Sequence, residues 1–348
     1  MQTTLILTGG DVQDLLDHRT CIDAVEGAFR AHGEGAPAPG VLSVPAAGGG
    51  FHIKAGVLER SQSPQRYFAA KVNGNFPENP SQRGLPTIQG IVVLADAESG
   101  SPLAVMGSGT LTALRTAAAT AVAAKYLANP GSCSLGVVGC GVQAAFQVHA
   151  IHEVRRVSRA QVCDRDGARA ARFAESLTRQ LGIPARAVAT PREVARGSDL
   201  LVTCTTSREA VLQAGDVEPG TFVAAVGADH PEKVEIAPAL MAQSAVVVDL
   251  FEQAAAFGDL HHAIEARLMD RARVRGELGE VVAGRKPGRC AESEVVVFDS
   301  TGMALQDVAA AAAVYERALA VGRGKEVRFA DQELERTLNW RDGFRITW

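Results

Sequence analysis

Four short stretches combine residue types and spacings that could do chemistry. In the first, Gly139-Cys140-Gly141-Val142-Gln143-Ala144 follows a strand-like run from Ser134 to Val138 and opens an amphipathic segment, and a second strand-like run ends at Asp164. That order suits a dinucleotide. Gly139 permits a tight turn and Gly141 lets the backbone approach a pyrophosphate. Ala144 keeps the helix close to the sheet, and the helix N-terminus offers free N–H groups to the anion. Asp164 lies about 20 residues past the turn, where a carboxylate accepts hydrogen bonds from ribose hydroxyls. The second stretch is Ala69 to Pro77, where Lys71 interrupts an apolar run. It is either a solvated edge residue or a cation aimed into a cleft to hold a carboxylate. The third is Leu111 to Ala118, with Arg115 alone on an alanine-rich segment. A buried guanidinium needs an anion, supplied either by a protein carboxylate or by a substrate carboxylate in bidentate geometry. The fourth, Val226 to Lys233, follows a predicted strand, so Asp229 stands where ligands bind in parallel sheets. It suits proton transfer or the holding of an amine, and equally an Asx turn or helix cap before Pro231.

The surrounding pattern divides the chain in two. Over residues 1–130 a strand (Thr4 to Leu7) and two helical stretches (Asp11 to Leu16, Cys21 to Phe29) precede strand-like runs at Val41 to Val44, Phe51 to Lys54, Tyr67 to Asn73, Ile88 to Asp96 and Leu103 to Met106. Gly and Pro clusters separate these runs, as in antiparallel sheets. A long alanine-rich helix, Thr110 to Leu127, stops at Asn129-Pro130-Gly131, the expected domain boundary. Over 131–309 strands and helices alternate, which predicts a doubly wound parallel sheet. Its strands are expected at Leu135 to Val138, Gln161 to Asp164, Ala187 to Ala189, Leu200 to Cys204, Thr221 to Val226, Ala245 to Asp249 and Val295 to Asp299, with helices including Asp166 to Leu181, Thr190 to Ala195 and Leu260 to Arg273. A helix from Met303 to Ala320 leads to a polar tail, Gly322 to Trp348, expected to return to the first domain because it cannot bury a core alone.

Bulk properties narrow the function. The 348 residues, 47% hydrophobic, supply ample core for two domains. A net charge of -4 offers no basic field for nucleic acid or anionic membrane. Six scattered cysteines form no CxxC pair, which points to buried thiols rather than disulfides or a metal site. With no apolar span or leader-like N-terminus, a cytoplasmic protein is expected.

Taken together, Phe68 to Pro77, Gly84 to Gly90, Leu111 to Ala118, Gly139 to Ala144, Gly227-Ala228-Asp229 and Phe298 to Ala304 resemble the ornithine cyclodeaminase/mu-crystallin family over nearly the whole chain. The resemblance implies an α/β fold: a doubly wound Rossmann NAD(P)-binding domain (131–309) plus an α+β substrate and dimerisation domain (1–130, completed by 310–348), assembled as a homodimer. It implies hydride transfer between nicotinamide and the Cα of an amino or imino acid. By position, Lys71 and Asp229 would be catalytic and Arg115 would bind the substrate carboxylate. Thr87, Thr116, Gly139, Gly141, Val142, Gln143, Asp164, Arg165, Thr205, Val226, Ser300 and Gly302 would contact the cofactor. Asp164 favours NAD by repelling a 2′-phosphate, while Arg165 beside it would accommodate NADP.

Two departures bear on the substrate. No arginine occurs between Arg30 and Arg60, where many members carry a third carboxylate contact. Instead the strand around Phe51-His52-Ile53-Lys54 puts His52 and Lys54 on one face. The expectation is that Lys54 replaces the arginine and His52 lines the pocket; the bland alternative turns both to solvent. An inward pair makes the pocket too cationic for the terminal ammonium of ornithine. An imine reductase or amino-acid dehydrogenase is therefore preferred over ornithine cyclodeaminase, and over a non-catalytic dinucleotide-binding protein that would not need Asp229.

Overall fold

The computed structural model describes residues 3–59 and 65–329. The chain begins with β1 (Thr4–Leu7), α1 (Gly9–Leu15), α2 (His18–Gly33), β2 (Gly40–Ala46), β3 (Gly49–Glu59), β4 (Arg66–Asn75), α3 (Asn79–Arg83), β5 (Ile88–Asp96), β6 (Pro102–Gly107) and α4 (Ser108–Leu127). It continues with β7 (Ser134–Val138), α5 (Val142–Val154), β8 (Arg159–Cys163), α6 (Gly167–Leu181), β9 (Ala185–Ala187), α7 (Pro191–Arg196), β10 (Leu200–Thr203), β11 (Phe222–Ala225), α8 (Pro238–Gln243) and β12 (Ala245–Val248). The last elements are α9 (Phe251–Phe257), α10 (Asp259–Glu265), β13 (Val274–Glu277), α11 (Leu278–Val282), β14 (Val296–Asp299), α12 (Ala304–Val321) and β15 (Lys325–Val327).

Among the described residues these strands form two sheets. One runs β15-β1-β6-β5-β4-β3-β2, antiparallel from β2 to β6. The other runs β13-β12-β14-β11-β10-β7-β8-β9 with parallel pairings throughout. In this second sheet the strand order reverses between β7 and β10, the switch point where a Rossmann fold binds its ligand. The alanine-rich helices α4 and α12 are buried along most of their length and join the two sheets: α12 packs on β3 and β4, and α4 on α2 and α5. Small side chains are the reason, because they let helix axes approach closely while still removing apolar surface from water.

Several expectations change. The predicted helix from Leu260 to Arg273 ends at Glu265: Arg267 turns into the left-handed region at φ 58°, and a short 3-10 turn, Arg271–Arg273, leads into β13. The reversal lets β13 pair in parallel with β12, a strand the apolar pattern did not reveal. β9 lies two residues earlier than expected, and β3 is far longer than Phe51 to Lys54 because the ladder to β4 continues through the small residues Ala55 and Gly56 to Glu59. Of the tail, β15 pairs antiparallel with β1; residues 330–348 lie outside the described residues.

Candidate active site

The switch point supplies an anion cradle. Gly139 adopts φ +95°, and a Cβ there would lie 2.8 Å from the Cys204 carbonyl oxygen, so only glycine fits this turn. No side chain caps α5, a Cβ on Gly141 would meet open space, and Val142 is 79% exposed. The Val142 and Gln143 amides at the start of α5 are therefore available to a phosphate, whereas Ala144 N already donates to the Gly141 carbonyl. The Asp164 carboxylate braces the turn, accepting from Cys140 N at 2.8 Å and Asp166 N at 2.9 Å, with further lone pairs for ribose hydroxyls. Arg165 beside it is exposed. Gln143 donates to the Ala113 carbonyl at 3.3 Å and so ties the cradle to α4. Thr205 is half-buried beyond β10 and Val226 half-buried beyond β11. Thr116 is half-buried on α4, one residue beyond Arg115, and Thr87 stands before β5 with its carbonyl accepting from Phe76 N at 2.8 Å. The residues present fit a dinucleotide.

The cations lie on the other sheet. Lys54 and Lys71 are directly opposed across β3 and β4, and His52 opposes Asn73 two residues along the same face. Like charges so placed repel, and each lysine finds separate oxygens. Lys71 Nζ lies 2.8 Å from Asp307 Oδ1, and Arg115 Nε lies 2.9 Å from that same oxygen. Arg115 also donates to Gln306 Oε1 at 3.0 Å. All are buried. Burial, then the Arg115 charge, draws the Lys71 ammonium down to about 7. Burial alone would raise the Asp307 carboxyl, but Arg115 and Lys71 overcome it and hold the acid below its usual range. The pairing of Arg115 with a protein carboxylate is thus real, although Asp307 did not emerge from the sequence.

Lys54 points inward and is 9% exposed, while His52 is half-buried. Its ammonium donates to the carbonyls of Thr301 at 2.8 Å and Gly302 at 2.5 Å, with Gln253 Oε1 at 3.5 Å. Two of the three Lys54 hydrogen bonds therefore hold the loop after β14, and the third reaches α9. Asp249 grips that loop from the other side, accepting from Thr301 Oγ1 at 2.8 Å and Gly302 N at 2.5 Å. Gly302 sits at φ +84°, and a Cβ on it would lie 2.5 Å from an Arg115 nitrogen, so the loop rests on the guanidinium. Ser300 is buried, its N–H bonded to the Ala225 carbonyl at 2.9 Å.

Asp229 lies in the loop beyond β11, and its side chain keeps 45% of its surface open to solvent. It pairs with Lys233 at 2.5 Å. Enclosure raises its carboxyl, while Lys233, then Lys54 and His52, pull it below the ordinary range. His52 is half-buried, its Nδ1 3.1 Å from Ser43 Oγ, and enclosure lowers its ring pKa against the opposing pull of Asp229. The structure thus gathers Lys54, Lys71, Arg115 and, within electrostatic reach, His52 and Asp229. Sequence reasoning missed Asp307, Gln306, Asp249 and Lys233. Asp307 carried the same signal as Arg115, a charge isolated within an alanine-rich stretch of its helix.

A parallel dinucleotide sheet joined to a second sheet bearing buried cations defines a two-part, cofactor-dependent class of protein. The chain belongs to the ornithine cyclodeaminase/mu-crystallin family, whose model matches residues 2–322. It is 38% identical to an alanine dehydrogenase of Archaeoglobus fulgidus over 94% of this chain and 98% of that one. Its fold matches an archaeal alanine dehydrogenase dimer with bound NAD at a TM-score of 0.89 and 37% identity, covering 94% of this chain and 100% of the other. It also matches Delta(1)-pyrroline-2-carboxylate reductase of Thermococcus litoralis in complex with NADH and L-proline, at a TM-score of 0.87 and 34% identity over 93% and 100%. Among the described residues no helix is long and apolar enough to cross a membrane.

Proposed function

We propose that this protein is an NAD-dependent imine reductase or amino-acid dehydrogenase acting at the Cα of a small amino or imino acid. The observation that carries this is the Lys71–Asp307–Arg115 triad beside the Ser300–Gly302 loop. Two buried cations share one acid, so the group retains the capacity to bind one further carboxylate. The turn after β7 would hold the pyrophosphate of the dinucleotide, whose nicotinamide would supply or take up the hydride.

Lys71 and Arg115 fix the substrate carboxylate and so turn Cα toward the carboxyl ends of the second sheet. Positioning of this kind removes several kcal/mol from a barrier. Asp229, ionised by Lys233, accepts a proton from the substrate ammonium in the oxidative direction, leaving the nitrogen lone pair to form C=N as the C–H bond breaks. In reduction it stabilises the protonated imine as Cα gains hydride. Lys54 adds positive charge but acts chiefly by holding the loop at Thr301 and Gly302; His52 lines the cleft near Asp229. Asp164 selects NAD.

The exposed apolar face formed by Leu42, Val44, Phe51 and Ile91 on β2, β3 and β5, opposite the face that carries Lys54 and Lys71, is covered by a second copy. This dimer agrees with the archaeal relative. The division into a cofactor domain (131–309) and a substrate domain (1–130 with the chain beyond 310) follows the two sheets.

The test is NADH oxidation with pyruvate plus ammonia and with cyclic imino acids, alongside ornithine with catalytic NAD. NADH consumption by the first group is expected. Proline formed from ornithine without net NADH change would overturn the proposal in favour of a cyclodeaminase.

A further inference from the structure

Four carboxyl groups that take no part in the proposed chemistry are completely buried beneath the site: Glu235, Asp249, Asp259 and Asp299. Glu235 and Asp249 are saturated with donors. Glu235 accepts from Thr205 N at 2.5 Å, Gly227 N at 2.8 Å and Thr203 Oγ1 at 2.8 Å, while Asp249 holds Leu250 N, Thr301 and Gly302. The other two are not. Asp259, at the start of α10, uses Oδ1 for Glu235 N at 2.7 Å and Ile236 N at 2.9 Å, and its buried Oδ2 has no donor. Asp299, at the end of β14, accepts from Leu260 N at 2.8 Å through Oδ2, and its buried Oδ1 has no donor.

A buried carboxylate oxygen without a donor is costly. The Leu260 N–H that Asp299 accepts belongs to the residue directly after Asp259, so the two acids are neighbours, and two neighbouring carboxylates cannot both ionise in a dry interior. The charged groups acting on this pair are Asp249 from the end of β12 and Glu235 from the segment after β11, both acids. On α10 itself, His261 and His262 are turned to the carbonyls of Ala255 and Lys233. Among the described residues no lysine, arginine or histidine is hydrogen-bonded to either acid. We propose that Asp259 and Asp299 share one proton, and that this acid–carboxylate pair positions the two loops that close the active site. Through Glu235 the pair is tied to Gly227, two residues before Asp229; through Asp299 it leads directly into Ser300–Gly302. Burial acts in the same direction, raising Asp299 to about 7 and Asp259 well above its ordinary range. Each raised group binds its proton more tightly folded than unfolded, so stability falls as pH rises toward the folded pKa.

Asparagine imitates the protonated acid: in D259N or D299N the amide N–H₂ replaces the donorless oxygen and the remaining oxygen keeps its backbone partners. The experiment compares parent, D259N, D299N and D259A by thermal denaturation and NADH affinity across pH, and by infrared spectroscopy with isotope-labelled aspartate. The label separates this pair from Glu235, and none of the three readouts needs a substrate. For the parent, an aspartic-acid C=O band is expected at neutral pH. It should vanish under alkaline conditions as the melting temperature drops and NADH binding weakens by up to about tenfold per pH unit. In the two asparagine variants the band is lost and NADH affinity no longer falls, whereas D259A binds NADH poorly at every pH. An absent band in the neutral parent overturns the proposal even if no variant folds, and so does an alkaline loss in D259N equal to the parent's.

Discussion

Replacing Asp307 with asparagine probes the cation pair most sharply, because one oxygen serves both partners. At 2.8 and 2.9 Å, each ion pair contributes on the order of 5 kcal/mol at an effective dielectric near 20. Much of that offsets the desolvation of Asp307, whose side chain keeps 2% of its surface. Removing the charge while keeping the shape should therefore destabilise the fold by about 3–5 kcal/mol, the usual cost of stranding a buried partner. The loss depends on pH in a defined direction. Lys71 already titrates near 7, and without Asp307 it moves lower still. A lysine depressed in the folded state binds fewer protons than in the unfolded chain, so stability rises with pH across that window. The gap between parent and D307N must accordingly widen as pH falls through about 7 and stay level above it. Small carboxylates such as acetate should also raise the melting temperature of D307N more than that of the parent, by filling the vacated anion position. Differential scanning calorimetry from pH 5 to about 9, with and without acetate, measures both effects. Equal stability of the two proteins at pH 6, with equal acetate responses, would refute the triad.

Three further outcomes follow from the site. As pH rises through about 7, kcat/KM for a carboxylate substrate should fall by up to about tenfold per unit as free Lys71 loses its proton, and K71R should lack that limb. K54M should loosen the Thr301–Gly302 loop and weaken NADH binding, measurable by fluorescence titration, while circular dichroism stays unchanged; undiminished affinity would remove the loop-holding role. L42E, on the apolar face of β2, should yield a monomer by sedimentation velocity, and a persisting dimer would place the interface elsewhere.

Lys71 and Arg115 were legible because each is a lone charge in an apolar run, where burial demands a partner. Asp307 interrupts the apolar pattern of α12 in the same way, but an acid in the first turn of a helix is commonplace and signals no buried partner by itself. The Rossmann sheet was readable from alternating strands and the glycine turn, since local backbone demands produce both. The acids beneath the site were not. Asp249, Asp259 and Asp299 stand at element ends where carboxylates are commonplace, and the amides they hold lie up to 53 residues away in sequence. The break at Arg267 was equally hidden: helical apolar spacing continues through it, and only the pairing of β13 with β12 requires the turn.

The central claim is that hydride passes between nicotinamide C4 and the substrate Cα, with Asp229 handling the proton on nitrogen. Reduction with NADH deuterated at the transferred C4 position, followed by mass spectrometry and NMR of the amino acid, tests it most directly. The parent should place one deuterium at Cα, and D229N should lose about 100-fold or more in turnover while binding NADH as before. Product formed without deuterium at Cα, or D229N turning over at the parental rate, would contradict the account.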